Sequence, residues 1–272
     1  MRSLAVLLLA FSLNNAAQAD CPRIISQSPY ITHQLDYLGL KTCLVGTSRY
    51  DQSLGLPTTG GLLDPDSEAI LALQPDLWIT SDWTDLDIFR AIQAKSQFAL
   101  RLHSFASMRQ IENNLLEIAQ HSRQPAALER AHAFAATWRA KAALIKAVNT
   151  AKPKVLLISS CSGLPYAFGQ DAYLSDLFIQ MGFTVVGNPQ RITHLPITPQ
   201  ANPLEKLIGS TLPDFVLLFE RNVTEACRLM QLPKQTRLIS LDGALFLQPA
   251  PTLLQAMETL KNHPTLFEPP NK

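Results

Sequence analysis

Two rhythms of apolar residues run through this chain. Short, nearly unbroken runs such as "RIISQS", "CLVGTS", "DLWIT" and "KPKVLLISS" have the length and composition of buried strands. Between them lie stretches such as "THQLDYLGL" and "YLSDLFIQMGF", where apolar positions return every three or four residues, as on one face of a helix. A Gly stands at the end of each, Gly39 and Gly182, ready to cap the helix in the left-handed conformation. Further helices are predicted from Ser107 to about Gln120 and over "PTLLQAMETLKN", with strands at "FALRLH" and "TRLISLDG".

One phrase occurs twice, as "DPDSEAILALQPDLWIT" at 64–80 and "NPLEKLIGSTLPDFVLLFE" at 202–220. Each runs from an acid or amide through Pro and Glu into a helical pattern, then to Pro-Asp and a strand. Asp64 or Asp66 caps the first helix, with Pro65 in its first turn; Asn202 caps the second, with Pro203 inside. Between the two copies, residues 124–150 begin at Pro125, contain no Gly and are rich in Ala, Leu, Lys, Arg and Glu. That stretch predicts one helix of about 24 residues, about 36 Å long at 1.5 Å per residue. The fold class implied is α/β: two Rossmann-like lobes with mostly parallel sheets, at 20–123 and 151–272, joined by a single long backbone helix.

The N-terminus is a separate matter. "MRSLAVLLLAFSLNNAAQA" has one Arg, an apolar core and a small-x-small ending, the pattern of a secretory signal peptide over 1–19 with cleavage before Asp20. Asp20 before Cys21 argues against a lipid anchor. The rest, about 250 residues, suffices for two modest cores. A net charge of +1 gives no reason to expect nucleic acid or an anionic membrane surface as partner. In an oxidising compartment the four Cys allow three pairings. Within-half pairing is the natural first choice, and Cys21 with Cys43 is expected because both precede neighbouring strands. Cys161 with Cys227 is left open, since Cys227 falls inside a helical pattern.

From "RIISQSPYITHQLDYLGLKTCLVGTSRYD", "EAILALQPDLWIT" and the restart at "KPKVLLIS", the chain resembles the periplasmic substrate-binding proteins of ABC importers with a helical backbone between lobes. That class serves cobalamin, haem and iron-siderophores, and the match is strongest to its cobalamin-binding members. The resemblance implies a periplasmic monomer that hands a corrinoid, or alternatively a ferric siderophore or haem, to a permease dimer in the inner membrane. It assigns Glu68 and Glu205, one per lobe, to docking on permease arginines. It places the ligand between the lobes, against Tyr30, His33, Arg49 and Tyr50 of the first and Tyr166, Phe168, His194 and Asp242 of the second. Tryptophans that cobalamin binders carry around the pocket have no counterparts here.

Other functions find less support. No G-x-S-x-G, P-loop or H-E-x-x-H pattern is present, so no catalytic residue, metal ligand or resident cofactor is assigned. A metal receptor would need three or four converging His and carboxylate ligands, and only His33 and His194 are well placed. Trp78 and Phe215 belong to the core, Trp138 packs the backbone helix against a lobe, and Trp83 faces either core or cleft.

Overall fold

The two apolar rhythms resolve into two layered lobes in this computed structural model, which describes residues 21–96, 98–103, 106–161, 164–198, 202–220, 227, 230–263 and 265–267. The expected signal peptide at 1–19 lies outside the described residues. In the first lobe, β1 (Ile24–Ser26), β2 (Leu44–Thr47), β3 (Leu77–Ser81) and β4 (Ala99–Leu102) form a parallel sheet ordered β2-β1-β3-β4. Helices α1 (Pro29–Leu38), α2 (Ser67–Ala72), α3 (Leu86–Gln93) and α4 (Met108–Ser122) connect and cover it. Pro29 occupies the first helical position of α1, a place where the missing N–H costs nothing.

The second lobe contains β5 (Lys154–Ile158), β6 (Tyr166–Phe168), α6 (Tyr173–Gln180), β7 (Thr184–Val185), β8 (Ile192–His194), α7 (Pro203–Thr211), β9 (Phe215–Leu218), β10 (Arg237–Ser240), α8 (Gly243–Phe246) and α9 (Leu253–Lys261). Its sheet runs β10-β9-β5-β6-β8, with β7 pairing the start of β5. The β5, β7, β9 and β10 pairings are parallel, whereas β6 and β8 attach antiparallel at the edge of the sheet.

The repeated phrase has the same mechanical job in both lobes. Asp76 accepts the Arg23 N–H through its carboxylate at 2.8 Å and donates its own N–H to the Arg23 carbonyl at 2.9 Å. Asp214 does the same with Lys154, at 2.7 and 2.9 Å. Each Pro-Asp therefore clips the incoming strand of the phrase to the first strand of its lobe and sets their register. The helix ends correspond too. Gly39 and Gly182 take positive φ, and the next residue donates back to the helix, Leu40 to Leu35 and Phe183 to Phe178.

The helix starts differ by one step. Asp66 is the cap of α2, accepting from Ala69 N at 3.0 Å, so Pro65 lies outside the helix and Asp64 pairs with Arg49 instead. In α7 the cap is Asn202, bonded to Glu205 N at 3.2 Å, and Pro203 is inside as expected. Glu68 is thus the second helical residue and Glu205 the third. Both within-lobe disulfides form: Cys21–Cys43 with Cα atoms 5.4 Å apart and Cys161–Cys227 at 5.2 Å. Closing the 22-residue span of the first stabilises by about 3 kcal/mol in the chain-entropy account.

Helix α5 (Pro125–Val148) joins the lobes. Its buried residues Ala127, Ala131, Phe134, Trp138, Ala142 and Ile145 return every three or four positions, making one apolar stripe. The stripe packs on α1 and α4 from the first lobe and on α6 and α9 from the second, so a single apolar core runs through both. Polar bonds reinforce the seam. Gln34 donates to the Pro249 carbonyl at 2.8 Å, and Asp176 accepts the Met108 N–H at 2.9 Å.

Removing the Phe134 ring, the most deeply buried large side chain of the stripe, should weaken both lobes at once. Phe134→Ala is expected to cost about 3–5 kcal/mol and to lower a single shared unfolding transition in calorimetry. Two separate transitions would show that the lobes do not depend on the stripe. With the seam bonded on both sides of α5, ligand is expected to change the angle between lobes by only a few degrees. Solution scattering with and without ligand would reveal a larger closure as a contraction.

Candidate functional site

The parallel strands of both lobes end on the same side of the molecule, and a cleft of ≈ 710 Å³ opens there. From the first lobe it is lined by Ser28, Pro29 and Tyr30 where β1 turns into α1, by Leu62, and by Trp83 just beyond β3. The second lobe contributes Tyr166 and Phe168 from β6, the 190–194 segment, and Leu247 with Gln248 after α8.

Residues 166 and 168 share a face of β6 because strand side chains alternate, while Ala167 joins the core on the other side. Phe168 is itself almost wholly buried, edge-on to Tyr173 and Phe219 at 6.3 and 6.0 Å between centroids. Tyr166 is half-buried, 5.3 Å from Phe168 and 6.1 Å from His194, its cross-strand partner. Burial raises its phenol pKa. Burial raises that of Tyr30 much further, with the Ser81 hydroxyl bond pulling the other way and Asp82 adding to the rise. Both phenols stay protonated at neutral pH; Tyr166 offers its ring and O–H to the cleft, whereas the Tyr30 hydroxyl is buried behind the wall. Trp83 shows 47% of its surface and can lie against a ligand.

Of the residues expected at the ligand, Tyr30, Tyr166, Phe168 and His194 therefore line one cleft, with Pro29 and Trp83. Four others are not among the residues that line it. Asp242 is the cap of α8, accepting from Ala244 N at 3.0 Å. His33 lies near the buried carboxylate of Asp51. Burial raises the Asp51 pKa, against hydrogen bonds from Ser48 and Thr32 and the charge of His33. Arg49 pairs with Asp64 at 2.7 Å and straps the loop that carries Leu62. Tyr50 is 70% exposed, and a Cβ on Gly61 would touch its ring, so it stands beside the cleft rather than in its wall. Among the described residues no cluster of His, Cys, Asp or Glu could hold a metal ion.

Arg191, Gln190, Leu62, Leu247 and Gln248 line the cleft without having been expected there. Arg191 also lines a second, more polar groove of ≈ 710 Å³ at the seam, with Arg109, Arg139, Asp171 and Asp176. The 188–191 segment lies very close to Gly169, where a Cβ would fall 1.4 Å from the Gln190 carbonyl and 2.5 Å from that of Asn188. Only the absence of a side chain at 169 allows this approach. The two docking candidates are unlike. Glu68 is exposed, whereas Glu205 is half-buried and accepts the Gln231 N–H at 3.1 Å.

Solved structures share this fold. The periplasmic vitamin B12 binding protein BtuF of Vibrio cholerae superposes with a TM-score of 0.70 over 88% of this chain and 95% of that one, at 19% identity. The fold is that of the helical-backbone periplasmic binding proteins. The heme binding protein HutB of Vibrio cholerae gives 0.70 over 91% and 99%, at 19% identity. A heme binding protein of Pseudomonas aeruginosa gives 0.68 over 88% and 91%, at 21% identity. No family model matches the chain, and no curated protein matches its sequence.

The geometry makes Trp83 a reporter, because Trp78 and Trp138 are buried. Acrylamide should quench one fluorescence component strongly, and Trp83→Phe should remove that component. Asp242→Ala should cost about 0.5–2 kcal/mol in urea unfolding, as the loss of a helix cap does. An unchanged midpoint would free Asp242 for a role at the ligand.

Proposed function

We propose that this protein is a periplasmic substrate-binding protein that presents a bulky, largely apolar ring compound to an ABC importer. A corrinoid is the first reading and haem the second. The observation that carries the proposal is the cleft itself, walled by Trp83 and Tyr30 on one lobe and Tyr166 on the other. Ligand pockets of this size are mostly apolar, with a few polar groups that fix orientation. Flat aromatic walls suit the face of a macrocycle, and the protonated Tyr and Gln side chains suit the groups on its rim. A bare metal ion would ask for a tight shell of His and carboxylates instead.

One observation favours haem over a corrinoid. The acceptor expected for corrin amides, Asp242, is bonded in a helix cap, and no Asp or Glu is among the described residues lining the cleft. A ferric siderophore, a polar iron chelate rather than a flat ring, is the other alternative to a corrinoid. Export through the signal peptide at 1–19 and release as a soluble periplasmic protein complete the proposal. No helix among the described residues is long and apolar enough to cross a membrane.

Docking on the permease falls to Glu68 and Glu205, at the starts of α2 and α7. A carboxylate there can reach an arginine of the importer with a charge-assisted bond. Because Glu205 already holds Gln231, its removal should disturb the local loop as well.

Protein purified from its native host should carry the absorbance of a corrin or a haem, and calorimetry with cyanocobalamin and with haemin should show one of them binding. Heat with neither would end the proposal for a ring ligand. Glu68→Ala together with Glu205→Ala should leave ligand affinity unchanged and weaken the complex with the permease. Unaltered permease affinity in the double variant would remove both residues from docking.

A further inference from the structure

The wall that β6 and β8 give to the cleft has little sheet behind it. Each strand has three residues, and the register of β6 on β5 rests on Ile158 against Ala167. A two-stranded ribbon of that length is marginal in water unless something else fixes it. The turn between β5 and β6 supplies the hold. Ser159 donates its N–H to the Tyr166 carbonyl at 2.9 Å and accepts the Tyr166 N–H on its hydroxyl at 3.0 Å. Beyond β8, the Leu195 N–H reaches the Pro165 carbonyl at 2.8 Å. Two residues after Ser159, the buried Cys161 is bonded to Cys227, and the Glu220 carboxylate just past β9 accepts its N–H. Both cysteines belong to the apolar cluster of Ile158, Ala167 and Leu218, on the face of the sheet away from the Tyr166 ring.

The two disulfides therefore sit at opposite ends of their sheets. Cys21 and Cys43 precede β1 and β2, whereas Cys161 follows the end of β5, on the side where the cleft opens. We infer that Cys161–Cys227 is a positioning element of the ligand site, pinning the turn that sets Tyr166 against the ligand, while Cys21–Cys43 serves stability alone. This rests on the proposed ring-binding function and extends it to residues that are not in the cleft wall. Without the bond, the turn loses its tether to the layer over β9, and the ribbon can shift while β5, β9 and β10 keep their own ladders. A wall held in place beforehand binds more tightly, because ligand does not bear the cost of ordering it.

The full mature chain carrying Cys161→Ala and Cys227→Ala is to be compared with one carrying Cys21→Ala and Cys43→Ala. Calorimetry reads the affinity for haemin and for cyanocobalamin, and amide hydrogen exchange reads the wall itself. Whichever ring binds the unaltered chain should bind the first variant about tenfold more weakly and the second within about twofold. Exchange at Tyr166 and Leu195 should quicken in the first variant only, with β1 and β3 as protected as before. The second variant should show its loss in the urea midpoint. Should the first variant not fold, Ser159→Ala decides in its place: it keeps both disulfides, frees the Tyr166 N–H and should weaken the same ring about threefold. Equal affinity losses in the two disulfide variants, unchanged exchange at Tyr166 without Cys161–Cys227, or full affinity in Ser159→Ala would overturn the inference and leave a ring-binding protein in place. If neither ring binds the unaltered chain, the proposed function falls, and exchange at Tyr166 alone decides whether this disulfide holds the wall.

Discussion

Everything else in this molecule depends on one apolar stripe gripped from two sides. Ala127, Ala131, Phe134, Trp138, Ala142 and Ile145 set two large rings between small side chains along α5, and helices of both lobes pack on them. Neither lobe can move far without pulling apolar surface back into water, at roughly 25 cal/mol per Å². The cleft therefore sits between two bodies held at a nearly constant separation. Its aromatic walls are preorganised, and the ligand does not need to supply the free energy of a large closure. Specificity in such a site comes from the side chains that line it.

The two lobes are built by the same local devices, and the Pro-Asp clip shows why the phrase repeats. A strand pair starts correctly when one backbone N–H and one carbonyl at its mouth are satisfied, and a single Asp does both jobs in each lobe. Selection for that geometry explains the similarity without any reference to partners. The acids at the helix starts then need a separate account. Glu68 and Glu205 occupy different positions in the first turn relative to their caps, and one of them already bonds to backbone. Similar wording in the sequence thus covers two kinds of likeness, one mechanical and shared, the other looser.

Much of the fold was legible in advance, because long periodic segments announce themselves. The backbone helix and the glycine-capped helices rest on periodic patterns of eight residues or more, and most of the parallel strands on compact apolar runs. No pattern announces the antiparallel strands β6 and β8, since three residues such as Tyr166–Phe168 are too few to display alternation. The site was only half legible for a related reason. Aromatic residues at strand ends could be placed, so Tyr30, Tyr166 and Phe168 fall together. Polar residues in turns could not, because an Asp that caps a helix and an Asp that meets a ligand look the same in sequence. Asp242 and Arg49 have local partners, and Arg191 reaches the cleft through a strand that no pattern revealed.

Gly169 has a consequence beyond its own turn. The 188–191 segment, which carries Gln190 and Arg191 into the cleft wall, lies against the bare α-carbon of residue 169. Any side chain there would have to push that segment away and would reshape the cavity from behind, with every residue that touches ligand unchanged in identity. The caliper of the cleft is thus adjustable at a position outside it. A lineage could pass from a thick guest to a thin one by a single codon change far from the guest, and comparison of the contact residues alone would never register the switch.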